Sequence, residues 1–279
     1  MKQRVIITGA GFAGIQLAKN LDEKLFEVLI IDKINHHQFQ PLFYQVATSQ
    51  LEPSSISFPI RHIFKIKKNI QVRLAEVLNI NSNQKSISTS IGDFEYDILV
   101  IAIGCKTNFF GNAEIEKNAF TLKSTFDAIE IRNHVLQTFE DVISADEVRK
   151  QSLLNLVIVG AGPTGVELAG AFAEIKKHVL PMDYPKIDFS AFNITLVEGS
   201  EFTLINMSEK ARQSSEKYLR EMGVNILLQT FVKSYDGEVL TLSTGQTIKT
   251  STVIWAAGVT ANTINGLPDE CIAAGNRIK

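Results

Sequence analysis

Apolar residues in this chain fall in short unbroken runs more than in alternation with polar ones. Val5-Ile6-Ile7, Val28-Leu29-Ile30-Ile31, Leu156-Val157-Ile158-Val159 and Ile194-Thr195-Leu196-Val197 are built almost entirely from β-branched and aliphatic side chains. A strand covered on both faces, as in a parallel sheet, reads this way. After the first run the spacing turns helical, through Ile15-Gln16-Leu17-Ala18-Lys19-Asn20-Leu21. After the third it does so again, from Val166 to Glu174. The pattern predicts strand, helix, strand, twice over.

Glycines punctuate both copies at the same place. Gly9-Ala10-Gly11-Phe12-Ala13-Gly14 joins the first strand to its helix, and Gly160-Ala161-Gly162-Pro163-Thr164-Gly165 joins the second pair. In each copy an acid closes the next strand, Asp32 in one and Glu198 in the other. This is the dinucleotide-binding fingerprint. The first glycine permits a tight turn, the second lets backbone approach a pyrophosphate, and the third lets helix pack on strand. The helix start presents free N–H groups to the phosphates, and the acid accepts from ribose hydroxyls. The second copy has a longer interval, because His178 to Phe192, with Pro181 and Pro185, reads as an inserted loop.

One such motif is weak evidence, but two in one chain point to two dinucleotides. The usual chemical reason is electron transfer between a nicotinamide and a flavin. Glu198 would repel a 2′-phosphate, and Gly199 and Ser200 follow it with no adjacent arginine, so NADH is favoured over NADPH. These residues alone do not say which half takes flavin. The fold class expected is α/β with two dinucleotide-binding (Rossmann-like) domains.

Composition narrows the rest. The 279 residues are 45% hydrophobic and 21% charged, with a formal net charge of −2, so neither disorder nor a nucleic-acid partner is indicated. Lys65-Ile66-Lys67-Lys68 reads as a solvated turn. Cys105 and Cys271 are isolated, with no CxxC for a dithiol or a zinc ribbon, which fits a reducing compartment. The chain has no secretory signal pattern and no transmembrane run of about 18 apolar residues. His36 and His37 would point to opposite faces of a strand and lack a third ligand, so no metal site is expected.

One stretch resists this pattern. His36 to Thr48 reads HHQFQPLFYQVAT, too sparsely charged for a surface loop and too irregular for a regular strand or helix. Together with the doubled fingerprint, it resembles the type II NADH dehydrogenases of the pyridine-nucleotide–disulfide reductase superfamily. Their pattern there is approximately NxHxFQPLLYQVAxGxLxP. Tyr96 to Gly104 (YDILVIAIG), Thr252 to Val259 (TVIWAAGV) and Gly165 to Gly170 (GVELAG) are similar to further family motifs.

The resemblance implies FAD on the N-terminal unit and NADH on a second domain inserted into the first. The layout expected is 1–110 for the FAD domain, 111–258 for the NADH domain, and 259–279 for the return to the FAD domain. It implies hydride transfer from NADH to FAD and delivery of electrons to a quinone. It places FAD contacts at Gly9, Gly11, Phe12, Ala13, Gly14, Asp32, Lys33, Val77, Ala102 and Gly104. Leu42, Phe43, Tyr44 and Gln45 are expected to wall the flavin. NADH contacts are expected at Gly160, Gly162, Pro163, Thr164, Gly165, Glu198, Ala257 and Gly258. Glu167, by itself a first-turn acid worth about 0.3–1 kcal/mol, takes by resemblance a catalytic place at the nicotinamide–flavin junction.

There are departures. Phe202 to Asn206 stands where the family has xxLLP. The family's next strand begins with a sequence like Gly275 to Lys279, followed by a GD motif on FAD and by membrane-surface helices. The FAD domain is therefore expected to be truncated here. A cytoplasmic or peripheral inner-membrane location, membrane contact for the full-length enzyme and a homodimer accompany the resemblance. Two alternatives stay open. One is a reductase of a ferredoxin-like protein, which the HHQFQPLFYQVAT stretch disfavours; the other is a nucleotide-binding fragment without catalysis. Disulfide reduction is rejected for want of a cysteine pair near the first helix, and a sulfide:quinone oxidoreductase, for which Cys105 could be a candidate cysteine, is disfavoured by the intact second fingerprint with Glu198.

Overall fold

A computed structural model describes residues 1–279. Its contacts divide the chain into two compact units. One comprises Met1–Phe39, Ser54–Lys106 and Val259–Lys279; the other comprises Gln40–Pro53 and Thr107–Gly258.

The first unit is built on a four-stranded parallel sheet. Its order is Ile70–Leu74, Phe26–Asp32, Gln3–Thr8, Ile98–Ile101. Ile6 pairs with Leu29, and Val5 with Ile98. Alternation along these strands feeds two cores. Val5, Ile7, Val28 and Ile30 pack with Ile15 and Ala18 of the helix Phe12–Asn20. Ile6, Leu29 and Ile31 pack with Ile80 and Ile87 on the other face. That second cover is an antiparallel meander, Val77–Asn81, Ser86–Thr89 and Gly92–Glu95. Two covered faces explain why the strands read as continuous apolar runs.

The second unit repeats the plan with five parallel strands, in the order Phe120–Thr121, Thr252–Trp255, Asn155–Val159, Asn193–Val197, Asn225–Leu227. Val157, Val159, Val197, Val253 and Trp255 face a second meander (Val232–Tyr235, Val239–Leu242, Thr247–Lys249) through Tyr235, Leu240 and Leu242. Ile158 faces the helix Pro163–His178. Neither meander was expected. Their short strands carry few of the apolar runs by which the parallel strands were recognised.

Three expectations are corrected. The stretch from His36 is regular in pieces: His36–Gln38 pairs antiparallel with Ser57–Pro59, and Phe43–Ala47 is a short helix. Residues 178–192 are not a bare loop, since they hold the helix Leu180–Asp183 and a 3-10 turn at Phe189–Ala191. Phe189 and Phe192 there pack edge-on against Phe139 at 5.5 and 5.3 Å. The layout also differs from a single crossing after residue 110. The chain passes to the second unit at Gln40, returns at Ser54, and crosses again at Thr107. The reason is packing: Phe43, Val46 and Ala47 are buried, and their helix packs against the helices Thr125–Ser144 and Pro163–His178.

Candidate functional site

The two glycine loops are copies in three dimensions. Gly9 has φ +103° and Gly160 has φ +101°, a region that favours glycine. The Gly9 amide donates to the Ile31 carbonyl at 2.8 Å, and the Gly160 amide to the Val197 carbonyl at 2.7 Å. A Cβ on Gly14 would stand 2.0 Å from the Gly9 carbonyl oxygen, and one on Gly165 would stand 1.9 Å from that of Gly160. A Cβ on Gly9 would strike the Ala102 carbonyl, and one on Gly160 would strike the Ala257 backbone. Ala102 and Ala257 therefore back the first glycine in each unit.

The middle glycines differ. A Cβ on Gly11 or Gly162 would meet nothing within 4 Å. Both residues are helix N-caps without a side-chain cap, and neither helix has an acid in its first turn. Other helices of this chain are capped by side chains: Asn112, Ser124, Asp146 and Ser208 each accept from an N–H of the first turn. The glycine helices thus present bare N–H groups to open space, and the positive end of each dipole faces the same way. That geometry fits a pyrophosphate at each loop.

The acids brace the loops. Asp32 accepts from the Ala10 amide at 2.6 Å and from the Ile34 amide at 3.0 Å. Glu198 accepts from the Ala161 amide at 2.6 Å, and from the Ser200 amide and hydroxyl at 2.8 Å each. Each carboxylate keeps lone pairs spare for ribose hydroxyls. In the sequence Ser200 counted only as a neighbour of Glu198; its two bonds to the acid were not anticipated. No arginine neighbours Glu198 in sequence, yet Arg212 lies 4.7 Å over the Phe202 ring, whose own carbonyl accepts from Ser200.

The remaining expected residues are distributed as follows. Phe12 stands exposed at the first helix start, edge-on to His37 at 4.9 Å and to Phe39 at 5.6 Å, and Ala13 beside it is also exposed. Lys33 pairs with Glu76 at the surface. Val77 opens the first meander, and Gly104 lies past the Ile98–Ile101 strand with φ +71°. Pro163 and Thr164 are exposed in the first turn of their helix. Gly258 has φ +77°, and the Phe110 ring lies 2.7 Å from where its Cβ would stand.

Leu42 and Gln45 are half-buried and group with the second unit. Phe43 is not a wall residue. At 2% exposure it belongs to the core of that unit. Glu167 is not a first-turn acid either, as the helix begins at Pro163. Its residue is exposed, yet burial around the carboxyl alone raises its pKa above the usual carboxylate range.

Residues 3–274 match the family model of pyridine nucleotide-disulphide oxidoreductases. The chain is 35% identical over 270 residues to a type II NADH:quinone oxidoreductase of Mycobacterium tuberculosis, covering 94% of this chain and 58% of that protein. It is 29% identical over 290 residues to the type II NADH:quinone oxidoreductase of Haemophilus influenzae, covering 94% and 65%. The solved structure of NDH2 from Plasmodium falciparum in complex with NADH superposes with a TM-score of 0.89 at 25% identity, covering 95% of this chain and 56% of that one. The chain thus spans less than two thirds of the length of each.

Proposed function

The chain belongs to the pyridine nucleotide-disulphide oxidoreductase family, and from that premise we propose that it oxidises NADH through FAD and passes the electrons to a quinone. The observation that carries this reading is the doubled brace, in which Asp32 on Ala10 and Glu198 on Ala161 hold two equivalent glycine loops. Two loops of one geometry suit two dinucleotides. FAD is assigned to the first unit and NADH to the second. The similarity to type II NADH:quinone oxidoreductases supports quinone as the acceptor.

The flavin, when bound, supplies the hydride acceptor and the two-electron store. The protein's part is to bind and align. Backbone N–H groups of Gly11 and Phe12, and of Gly162 and Thr164 on either side of Pro163, would hold phosphates, and Asp32 and Glu198 would hold ribose. Lys33, Val77, Ala102 and Gly104 line the FAD, while Ala257 and Gly258 line the NADH. Leu42 and Gln45 wall the flavin. Glu167, with its raised pKa, orients the nicotinamide or holds a proton near the acceptor site. Alignment of this kind lowers barriers by several kcal/mol.

No helix is long and apolar enough to cross a membrane. A peripheral position on the cytoplasmic face of the membrane, and a homodimer, belong to this proposal. The test is a visible spectrum of the purified protein under nitrogen, before and after NADH. A flavin band that bleaches with NADH and returns with quinone supports it. A protein that stays colourless after incubation with FAD sinks it.

A further inference from the structure

We propose that Phe231 is the platform on which the adenine of NADH stacks, an inference that rests on the assignment of NADH to the second unit. Phe231 is 64% exposed, although it belongs to the most hydrophobic class of side chains. Its backbone is held in place. Its amide donates to the Ser243 hydroxyl at 3.0 Å, and the Ser243 amide donates to its carbonyl at 2.7 Å. The two residues before it are tied to the acid loop. The Thr230 amide donates to the Glu198 carbonyl and the Gln229 amide to the Ser200 carbonyl, each at 2.9 Å.

The ring itself lies against Gly199. A Cβ on Gly199 would stand 2.4 Å from Phe231 Cε1 and 2.9 Å from Cδ1 and Cζ. Gly199 has no left-handed φ to explain it. Its lack of a side chain serves one visible purpose, to admit the ring. The chain therefore uses a glycine directly after the ribose acid to seat an exposed aromatic ring on a fixed base.

What such a ring receives follows from connectivity. The adenine is bonded to the sugar carbon adjacent to the one bearing the 2′-hydroxyl. A carboxylate that takes the ribose hydroxyls has the base within a residue's reach, and the Phe231 ring is such a neighbour, lying against Gly199 directly after Glu198. Every nucleobase offers a π face, and base-on-aromatic stacking is strong enough to be read by truncation.

The experiment compares equilibrium binding of three probes, NADH, ADP-ribose and reduced nicotinamide mononucleotide, to the wild type, Phe231→Ala, Phe231→Tyr and Gly199→Ala. Expected is a loss of about tenfold or more in ADP-ribose and NADH affinity for Phe231→Ala, with Phe231→Tyr within about twofold of wild type. Gly199→Ala, which displaces the ring by one methyl, weakens the same two probes. Reduced nicotinamide mononucleotide, which has no adenine, binds all four proteins alike. The inference is overturned if Phe231→Ala binds ADP-ribose as the wild type does; NADH binding in that protein would leave the broader reading standing. It is overturned equally if Phe231→Ala weakens the mononucleotide as much as ADP-ribose, which marks a structural role. If the wild type binds none of the probes, the assignment of NADH to this unit fails along with it.

Discussion

The Ala10 amide donates to the Asp32 carboxylate at 2.6 Å, across the mouth of the first glycine loop. The bond joins the middle of the loop to the end of the next strand, so the acid holds loop geometry as well as offering lone pairs to a ribose. Charge-assisted hydrogen bonds of this kind contribute about 1.5–3 kcal/mol. Asp32→Ala removes both functions. The expected result is a protein that folds but elutes without flavin, read from the ratio of absorbance at the flavin band to that of the protein. Retention of stoichiometric flavin would remove Asp32 from the site.

Glu198 does the same for Ala161, with Ser200 added. Glu198→Gln keeps the shape and one acceptor oxygen but loses the charge that repels a 2′-phosphate. The expected outcome is a rise of about tenfold in the KM for NADH and a smaller preference for NADH over NADPH. Steady-state kinetics with both nucleotides measure it. An unchanged preference would mean that the carboxylate is not what discriminates.

The glycines separate folding from binding. Gly14→Ala and Gly165→Ala drive a methyl to about 2 Å from a backbone carbonyl that cannot step aside. Each is expected to cost more than about 3 kcal/mol. Gly11→Ala and Gly162→Ala place the methyl in open space at a φ that alanine adopts. These two are expected to leave Tm within about 2 °C and to weaken FAD and NADH, respectively, by more than about tenfold. Calorimetry beside nucleotide titration distinguishes the pairs.

The parallel strands, the glycine helices and the acids were legible because each depends on a local pattern of a few residues. The meanders were not, since Val232–Tyr235 and Val77–Asn81 become strands through pairing and burial that no short window shows. The helix Phe43–Ala47 was missed for a related reason. Its apolar residues are satisfied by helices far along the chain. Phe231 could not be read at all. Its relation to Gly199 is made by chain folding, and the sequence shows only an aromatic ahead of a strand and a glycine after an acid.

Glu167 carries a raised pKa, caused by burial around the carboxyl. The sign is opposite to that of a paired acid. The folded state binds the proton more tightly than the unfolded one. Stability is therefore fullest below the unfolded pKa and falls as pH rises through the folded one. Glu167→Gln removes this loss, so Tm near neutral pH should rise or stay level, by no more than about 2 °C for a group so exposed. A catalytic role adds a second signature. If Glu167 holds a proton for the acceptor, the limb of the kcat profile on which activity falls as pH rises through its raised pKa should disappear in the variant while the KM for NADH holds. A profile identical to wild type would leave Glu167 with no proton to manage.

Tyr235 supplies a test of the second unit's core. Its ring is 1% exposed, and its hydroxyl lies 3.1 Å from both the Gly237 and the Thr250 carbonyls, which share its one proton. Burial first, then Asp236 and Glu238 nearby, push its pKa up to about 12. Between the ordinary tyrosine value of about 10 and that value, the unfolded chain loses its phenolic proton and the folded chain keeps it. Stability should be flat in pH below about 10 on this account and fall steadily toward pH 12. Tyr235→Phe should cost about 1–2 kcal/mol at neutral pH through the lost hydrogen bonds, and should also abolish this alkaline decline. Denaturant midpoints measured at neutral pH and at two alkaline values show both effects in one series. A variant that declines as steeply as the wild type would place the alkaline transition in another group.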